Sequence, residues 1–354
     1  MITAQATIRE QVRDYLTTSG YRPLFILGDA LEVLRYFPSA SIDFCMTSPP
    51  YWKQRQYVEE GIGSENSPEE YIAHLLAVFA EVQRVLKPTG SFWLNLGDTY
   101  QAKRLLGLPW RIALALMDEQ GWVLRNNVIW HKIKGGPDQS KDRLRNVHEN
   151  LFHFVKHPKG YYYDVDAIRS APRKARVVNG VVVSATGVKG VRYRRQIELS
   201  TALSAEEKRA ALAALEQKLE AVRNGDIADF RMIIRKQQRP THSDSMRVSG
   251  RARELHKKGF YFLTYHPKGS KPGNVWDILP EDTHKRQMHF SAYPEDLCKI
   301  PLLATCPSDG VALDPFCGTG TTSVVAQALG RKSIGIDIAE PYLRIATERT
   351  WRLL

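Results

Sequence analysis

Cysteine is scarce in this chain: four in 354 residues, at Cys45, Cys298, Cys306 and Cys317. None is spaced as a CxxC pair, so a zinc ribbon has no basis. Cys45 sits in an apolar run and Cys317 in a tight turn, settings of packed thiols rather than nucleophiles. No apolar run reaches the roughly 18 residues that a membrane-spanning helix needs. The first 20 residues lack the apolar core of a signal peptide. Their Arg9, Glu10, Arg13 and Asp14 fit a short amphipathic helix, and a cytoplasmic protein is expected. No glycine-containing stretch completes the GxGxxG of a dinucleotide-binding turn. Acidic residues are outnumbered, 38 Asp and Glu against 50 Lys and Arg, for a net charge of +12.

That excess is local. Residues 166–286 hold 25 Lys and Arg against 13 Asp and Glu, and the rest of the chain holds 25 of each. A basic field confined to one segment is the footprint of a phosphate-backbone binder; a solvated basic insertion is the plain alternative. The length suits two domains, and 43% hydrophobic residues suffice for a core.

Two stretches carry chemistry. The first is Thr47-Ser48-Pro49-Pro50-Tyr51-Trp52, directly after the apolar strand candidate 41–46. Two prolines end the strand and remove two backbone donors, leaving the carbonyls before and between them free to face a pocket. A small hydroxyl, rigid acceptors and an aromatic face suit a planar ring bearing an amine. The plain alternative is an ordinary turn shielded by a Tyr. The second stretch is Asp314-Pro315-Phe316-Cys317-Gly318-Thr319-Gly320-Thr321, between a strand and a helical run. A second strand follows, ending in Asp337. Strand, glycine loop, helix and a strand ending in an acid form a nucleotide-type binding unit. The glycines allow close backbone approach, and Asp337 is placed to accept from ribose hydroxyls. Thr319 between the glycines argues for an adenosine ligand other than a dinucleotide.

Together these stretches resemble the DNA amino-methyltransferases that use S-adenosylmethionine. Their order along the chain is similar to the β group of that family. The resemblance implies an α/β, Rossmann-like class I methyltransferase fold. Such a fold has a mixed, mostly parallel sheet with helices on both faces, a circularly permuted motif order and an inserted target-recognition domain. It divides the chain into a catalytic half at 1–165, a basic recognition region at 166–286 and a cofactor-binding half at 287–354. It implies catalytic roles for Ser48, Pro49, Pro50 and Tyr51. It implies cofactor contacts for Asp29, Asp314, Phe316, Cys317, Gly318, Thr319, Gly320, Thr321 and Asp337. The segment 285–305 resembles the motif over the methionine end of the cofactor, which adds Phe290, Ser291 and Pro294. Asp29 also fits a helix N-cap, and the two roles are compatible. No metal is implied.

The implied chemistry is methyl transfer to an exocyclic base amine in duplex DNA, with the base flipped out because the target atom is unreachable in the helix. The amine would bond the Ser48 hydroxyl and the Pro49 carbonyl, and Tyr51 would stack on the base. In the family, Ser before Pro-Pro usually accompanies N4-cytosine, so cytosine leads and N6-adenine is the runner-up. No Pro-Cys nucleophile of the C5-cytosine type is present. An RNA methyltransferase and a non-catalytic DNA binder remain open. A restriction–modification role is expected with any endonuclease a separate chain, since no nuclease motif is evident.

Along the chain, the pattern predicts helices at 30–36, from Pro68 to about 86, and at 108–120. It predicts strands at 91–98 and 122–131, and a hairpin of 149–156 with 161–165. Tyr161, Tyr162 and Tyr163 would either stack on a base or pack over that hairpin. Lys134 to Asn146 reads as a charged loop beside DNA. Ser204 to Glu207 is a capping box opening a helix with Leu212, Leu215, Leu219 and Val222 on one stripe. Target recognition is expected at 231–258.

Overall fold

The structure is a computed structural model that describes residues 4–54, 61–134, 140–236, 250–281 and 293–351. Phe290 and Ser291 lie outside the described residues, as do the centre of the 231–258 segment and part of the 134–146 loop. The chain forms two compact units, one of residues 1–167 and 273–354, the other of residues 168–272.

The larger unit begins with α1 (Ala4–Thr17), β1 (Leu24–Leu27), α2 (Ala30–Leu34), β2 (Ile42–Thr47), α3 (Pro68–Val85) and β3 (Leu86–Leu96). A short hairpin of β4 (Tyr100–Gln101) and β5 (Arg104–Leu105) precedes α4 (Leu108–Gln120), β6 (Val123–Lys132) and β7 (His148–Val155). The smaller unit holds β8 (Arg176–Val178), β9 (Val181–Val183), α5 (Gly190–Glu198), α6 (Ala205–Arg223), β10 (Asp229–Ile234), α7 (Gly250–Lys258) and β11 (Phe260–Tyr265). The chain returns through β12 (Val275–Ile278), α8 (Glu295–Thr305), β13 (Val311–Asp314), α9 (Thr321–Ala328), β14 (Lys332–Asp337) and α10 (Glu340–Trp351).

The main sheet has eight strands in the order β1-β14-β13-β2-β3-β7-β6-β12. All neighbours pair parallel except those of β7, which opposes both β3 and β6. One reversed strand lies among seven that run the same way. Alternation along the strands feeds two cores. Phe92, Leu94, Val311 and Leu313 pack under α2, α3 and α4. Phe44, Met46, Trp93 and Ala312 pack under α8 and α9. Helices therefore cover both faces, the layering of an α/β domain.

Three features differ from the sequence reading. Residues 161–165 form no strand, because β3 and β6 already occupy both edges of β7. Tyr161 and Tyr163 instead pack on each other and on His153. Residues 87–90, which separate the expected helix and strand, are taken into β3, with a register shift between Ile42 and Phe44 on β2. Gly90 permits it, since a Cβ there would stand 2.9 Å from the Asp43 carbonyl oxygen. Finally, the expected middle segment reached 286, yet Val275–Ile278 already pairs with β6 in the large sheet.

The smaller unit has its own core, in which Ala211, Leu215, Leu219 and Val222 of α6 meet Tyr193, Ile197, Phe230 and Met232. Leu212 is only partly buried against this core. The stripe of α6 is thus packed within its own unit. The hairpin β8–β9 turns at Asn179-Gly180, both with positive φ (49° and 76°), the requirement of a type I′ turn.

Candidate active site

The parallel strands bring their C-terminal ends to one edge, where ligands bind in open α/β sheets. β1 ends at Gly28-Asp29, β2 at Ser48-Pro49-Pro50, β13 at Asp314-Pro315-Phe316 and β14 at Asp337. A cavity of about 370 Å³ opens there, within the size range of cofactor sites.

One wall is built by the loop after β13. Gly318 (φ 50°) and Gly320 (φ 76°) are left-handed and carry the chain into α9. A Cβ on Gly320 would stand 2.7 Å from the Ala346 methyl, so this glycine is needed to seat the loop on α10. Asp337 accepts from the Gly318 amide at 2.8 Å and, with its other oxygen, from the Ala339 amide at 2.8 Å. Burial raises its carboxyl above the usual range, opposed by those amides. Asp29 caps α2, accepting from the Glu32 amide at 3.0 Å, and also lines the cavity.

The Ser48–Tyr51 turn lines the same cavity. Tyr71 of α3 donates to the Pro50 carbonyl at 2.9 Å, which pins the turn to the body. Ser48 Oγ donates to the Tyr51 phenol oxygen at 3.1 Å, and Tyr51 donates to Glu149 Oε2 at 2.8 Å. Asn95 Nδ2 donates to the same carboxylate oxygen at 2.7 Å, and Lys132 pairs with Oε1. Burial, then the Glu149 charge, pushes the Tyr51 phenol well up. Behind the turn, Thr47 Oγ1 donates to Asp314 Oδ1 at 2.6 Å, and Tyr293 donates to Asp314 Oδ2 at 2.7 Å. Thr322 donates to that second oxygen at 2.9 Å. Burial raises the Asp314 carboxyl despite these bonds.

Of the residues expected at the site, Asp29, Ser48, Pro49, Pro50, Tyr51, Phe316, Cys317, Gly318, Thr319, Thr321 and Asp337 line this one cavity. Asp314, Gly320 and Pro294 do not. Asp314 is 1% exposed and ties the two motifs together from behind; Pro294 is the N-cap of α8. The sequence reading missed Asn95, Lys132, Glu149 and Tyr293, which also line it. For Asn95 and Glu149 the signals were a polar residue inside an apolar strand (Leu94-Asn95-Leu96) and an acid in the first two residues of β7.

A sheet of seven like-directed strands with one reversed strand, a site at the strand ends and helices on both faces define the class I methyltransferase fold. The chain belongs to the DNA methylase family of N6/N4 type, which it matches over residues 42–182 and 187–348. It is 30% identical to the type II methyltransferase M.SfiI of Streptomyces fimbriatus, over 94% of this chain and 92% of that one. In structure it is similar to the PvuII DNA methyltransferase, described as cytosine-N4-specific (TM-score 0.56, 18% identity, 94% of this chain and 87% of that one). It also resembles a protein of Thermus thermophilus solved in complex with S-adenosyl-L-methionine (TM-score 0.51, 21% identity, 93% of each chain).

Proposed function

We propose that this DNA methyltransferase acts on the N4 amine of cytosine in duplex DNA, with S-adenosyl-L-methionine as methyl donor, in a type II restriction–modification system. The observation that carries the amine reading is the Ser48 hydroxyl lining the same cavity as the Asp337 loop. A hydroxyl before Pro-Pro, where the family also uses Asp or Asn, favours cytosine. N6-adenine is the second reading, since both bases present an amine beside a ring nitrogen.

The cavity suits this cofactor: Asp29 and Asp337 follow the ends of the neighbouring strands β1 and β14, and the Phe316 ring and Gly318 line the same cavity from the loop after β13. Asp337 would hold the ribose hydroxyls and Phe316 the adenine face. When bound, the cofactor supplies an electrophilic methyl group. The protein's own part is to hold the amine in line, where proximity alone contributes several kcal/mol, on the order of 7–11. The Ser48 oxygen and the Pro49 carbonyl accept from the amine and direct its lone pair outward. The Tyr51 ring stacks on a base flipped into the pocket. The DNA footprint falls to the smaller unit, whose 168–272 span carries 23 Lys and Arg against 9 Asp and Glu. A cognate endonuclease would be a separate chain.

The test is mass spectrometry of nucleosides from duplex DNA containing the recognition site, after incubation with enzyme and cofactor. N4-methylcytosine is expected. N6-methyladenine would keep the mechanism and replace the base. Methylated RNA with unmodified DNA would overturn the DNA assignment.

A further inference from the structure

We propose that Glu149 is a positioning residue for the transfer: through Tyr51 it commits the Ser48 hydroxyl as an acceptor for the amine, and it takes up the proton the amine loses. The proposal rests on the amine-methylation reading above. The bond directions carry it. An ionised carboxylate only accepts, so Tyr51 must donate to Glu149 Oε2, 2.8 Å away. The phenol oxygen is then left to accept, and Ser48 Oγ at 3.1 Å supplies the hydrogen. With its hydrogen committed to Tyr51, Ser48 presents a lone pair to the cavity it lines. Asn95 Nδ2 locks the arrangement, 2.7 Å from Glu149 Oε2 and 3.1 Å from the phenol oxygen. Lys132 on Glu149 Oε1 balances the buried charge. Gly97 keeps the cluster tight: a Cβ there would stand 2.7 Å from Tyr51 Cε2 and 3.3 Å from Glu149 Oε1.

The proton balance follows the same chain. The amine lone pair forms the bond to the methyl carbon, the carbon–sulfur pair stays with sulfur, and the nitrogen becomes cationic. One N–H proton passes to Ser48 Oγ. The Ser48 proton passes to the Tyr51 oxygen, and the Tyr51 proton to Glu149 Oε2. Both hydroxyls are regenerated, the amine is neutral, and Glu149 is neutral until it releases the proton to water beside Lys132, whose side chain is 28% exposed.

The test compares Glu149→Gln, Tyr51→Phe and the double variant. Glu149→Gln and Tyr51→Phe are each expected to lower the single-turnover rate about 100-fold, the scale of a lost proton-transfer partner. The double variant should fall little below either, because both break one chain. KM for DNA and cofactor affinity by calorimetry should be unchanged. A Glu149→Gln enzyme with the wild-type rate, or one whose loss lies in KM or cofactor affinity, overturns the proposal. A second readout needs neither DNA nor cofactor. The Tyr51 hydroxyl proton should resonate downfield, vanish in Tyr51→Phe and move upfield in Glu149→Gln; a resonance unmoved in Glu149→Gln also overturns it. A wild-type enzyme that methylates no base would instead sink the functional reading, and the hydroxyl resonance would still report the bond direction.

Discussion

Ser48 and Asp337 line one cavity from the ends of β2 and β14, and the proposed function gives them different tasks, chemistry and cofactor binding. Ser48→Ala removes the proposed acceptor for the amine, and the bonds that the Ser48 hydroxyl makes run to Tyr51 and Asn95 and not to Asp337. It should lower methyl transfer about 100-fold, the scale of one lost oxyanion-type partner, with cofactor affinity intact by calorimetry. Asp337→Ala removes the acceptor of the Gly318 and Ala339 amides as well as the proposed ribose partner. Cofactor affinity should drop about 10- to 100-fold, as expected when one buried partner is lost. His153 makes a different kind of prediction. It is 1% exposed, stacks on Trp93 at 4.2 Å and meets Ser91 Oγ at 3.0 Å. Burial, then the Arg125 charge, lowers its pKa to about 3. Above about pH 6.5 the ring is neutral in both folded and unfolded chains, so it sets no slope. Between that value and about 3 only the unfolded chain takes the proton. Stability should then fall by about 1.4 kcal/mol per pH unit on acidification. Urea unfolding at pH 7, 6 and 5 should show a shallower acid loss in His153→Phe than in wild type. Equal slopes would refute it. At this scale the sequence displayed what lies within one motif. Thr47 to Tyr51 and Asp314 to Thr321 were readable because each motif is contiguous in the chain, although the bond that joins them, Thr47 to Asp314, spans 267 positions. Glu149 was not, because its partner Tyr51 is 98 positions away and only the pairing of β7 with β3 and β6 brings it near.

Elements with their own start signals were readable for the same reason of locality. Ser67 caps α3 with Pro68 in the first turn, and α4 spans Leu108–Gln120, the range its apolar period marks. The capping box of α6 is complete: Ser204 Oγ accepts from the Glu207 amide at 3.1 Å and the Glu207 carboxylate accepts from the Ser204 amide at 2.8 Å. Ser204→Ala should cost about 1 kcal/mol, the usual worth of such a cap. Chemical denaturation followed by helix circular dichroism checks it; an unchanged midpoint would show that α6 is held by its packed stripe alone. Strands lack such local marks. Residues 149–156 and 161–165, with a turn between them, look like a hairpin, yet 149–155 finds two better partners from elsewhere in the chain. Tyr162 and Asp164 satisfy their amides on the Thr89 and Ala304 carbonyls instead. Pairing is decided by which edge is free, and that is a property of the whole sheet.

At the scale of the whole molecule the charge is divided between the units. The smaller carries an excess of 14 basic residues (23 against 9), while the remainder holds 27 basic against 29 acidic. Composition revealed this asymmetry, but not which surface presents it. In the smaller unit, α5 buries Tyr193 and Ile197 and turns Arg192, Arg195, Gln196 and Leu199 outward along one face. Arg194, between them, is already held by Glu216. Neither Arg192 nor Arg195 forms an ion pair among the described residues, so both guanidinium groups are available to a phosphate. Each arginine seated on a phosphate releases about 0.9 counterion, so two of them contribute about 2 to the slope of log K against log salt. The double variant Arg192→Gln, Arg195→Gln should therefore bind duplex DNA more weakly at low salt and show a slope shallower by about 2. Cofactor affinity should not change, because Asp29, Phe316 and Asp337 all belong to the larger unit. A slope unchanged in a titration from about 50 to 200 mM salt, where phosphate-driven binding falls steeply, would move the footprint off α5.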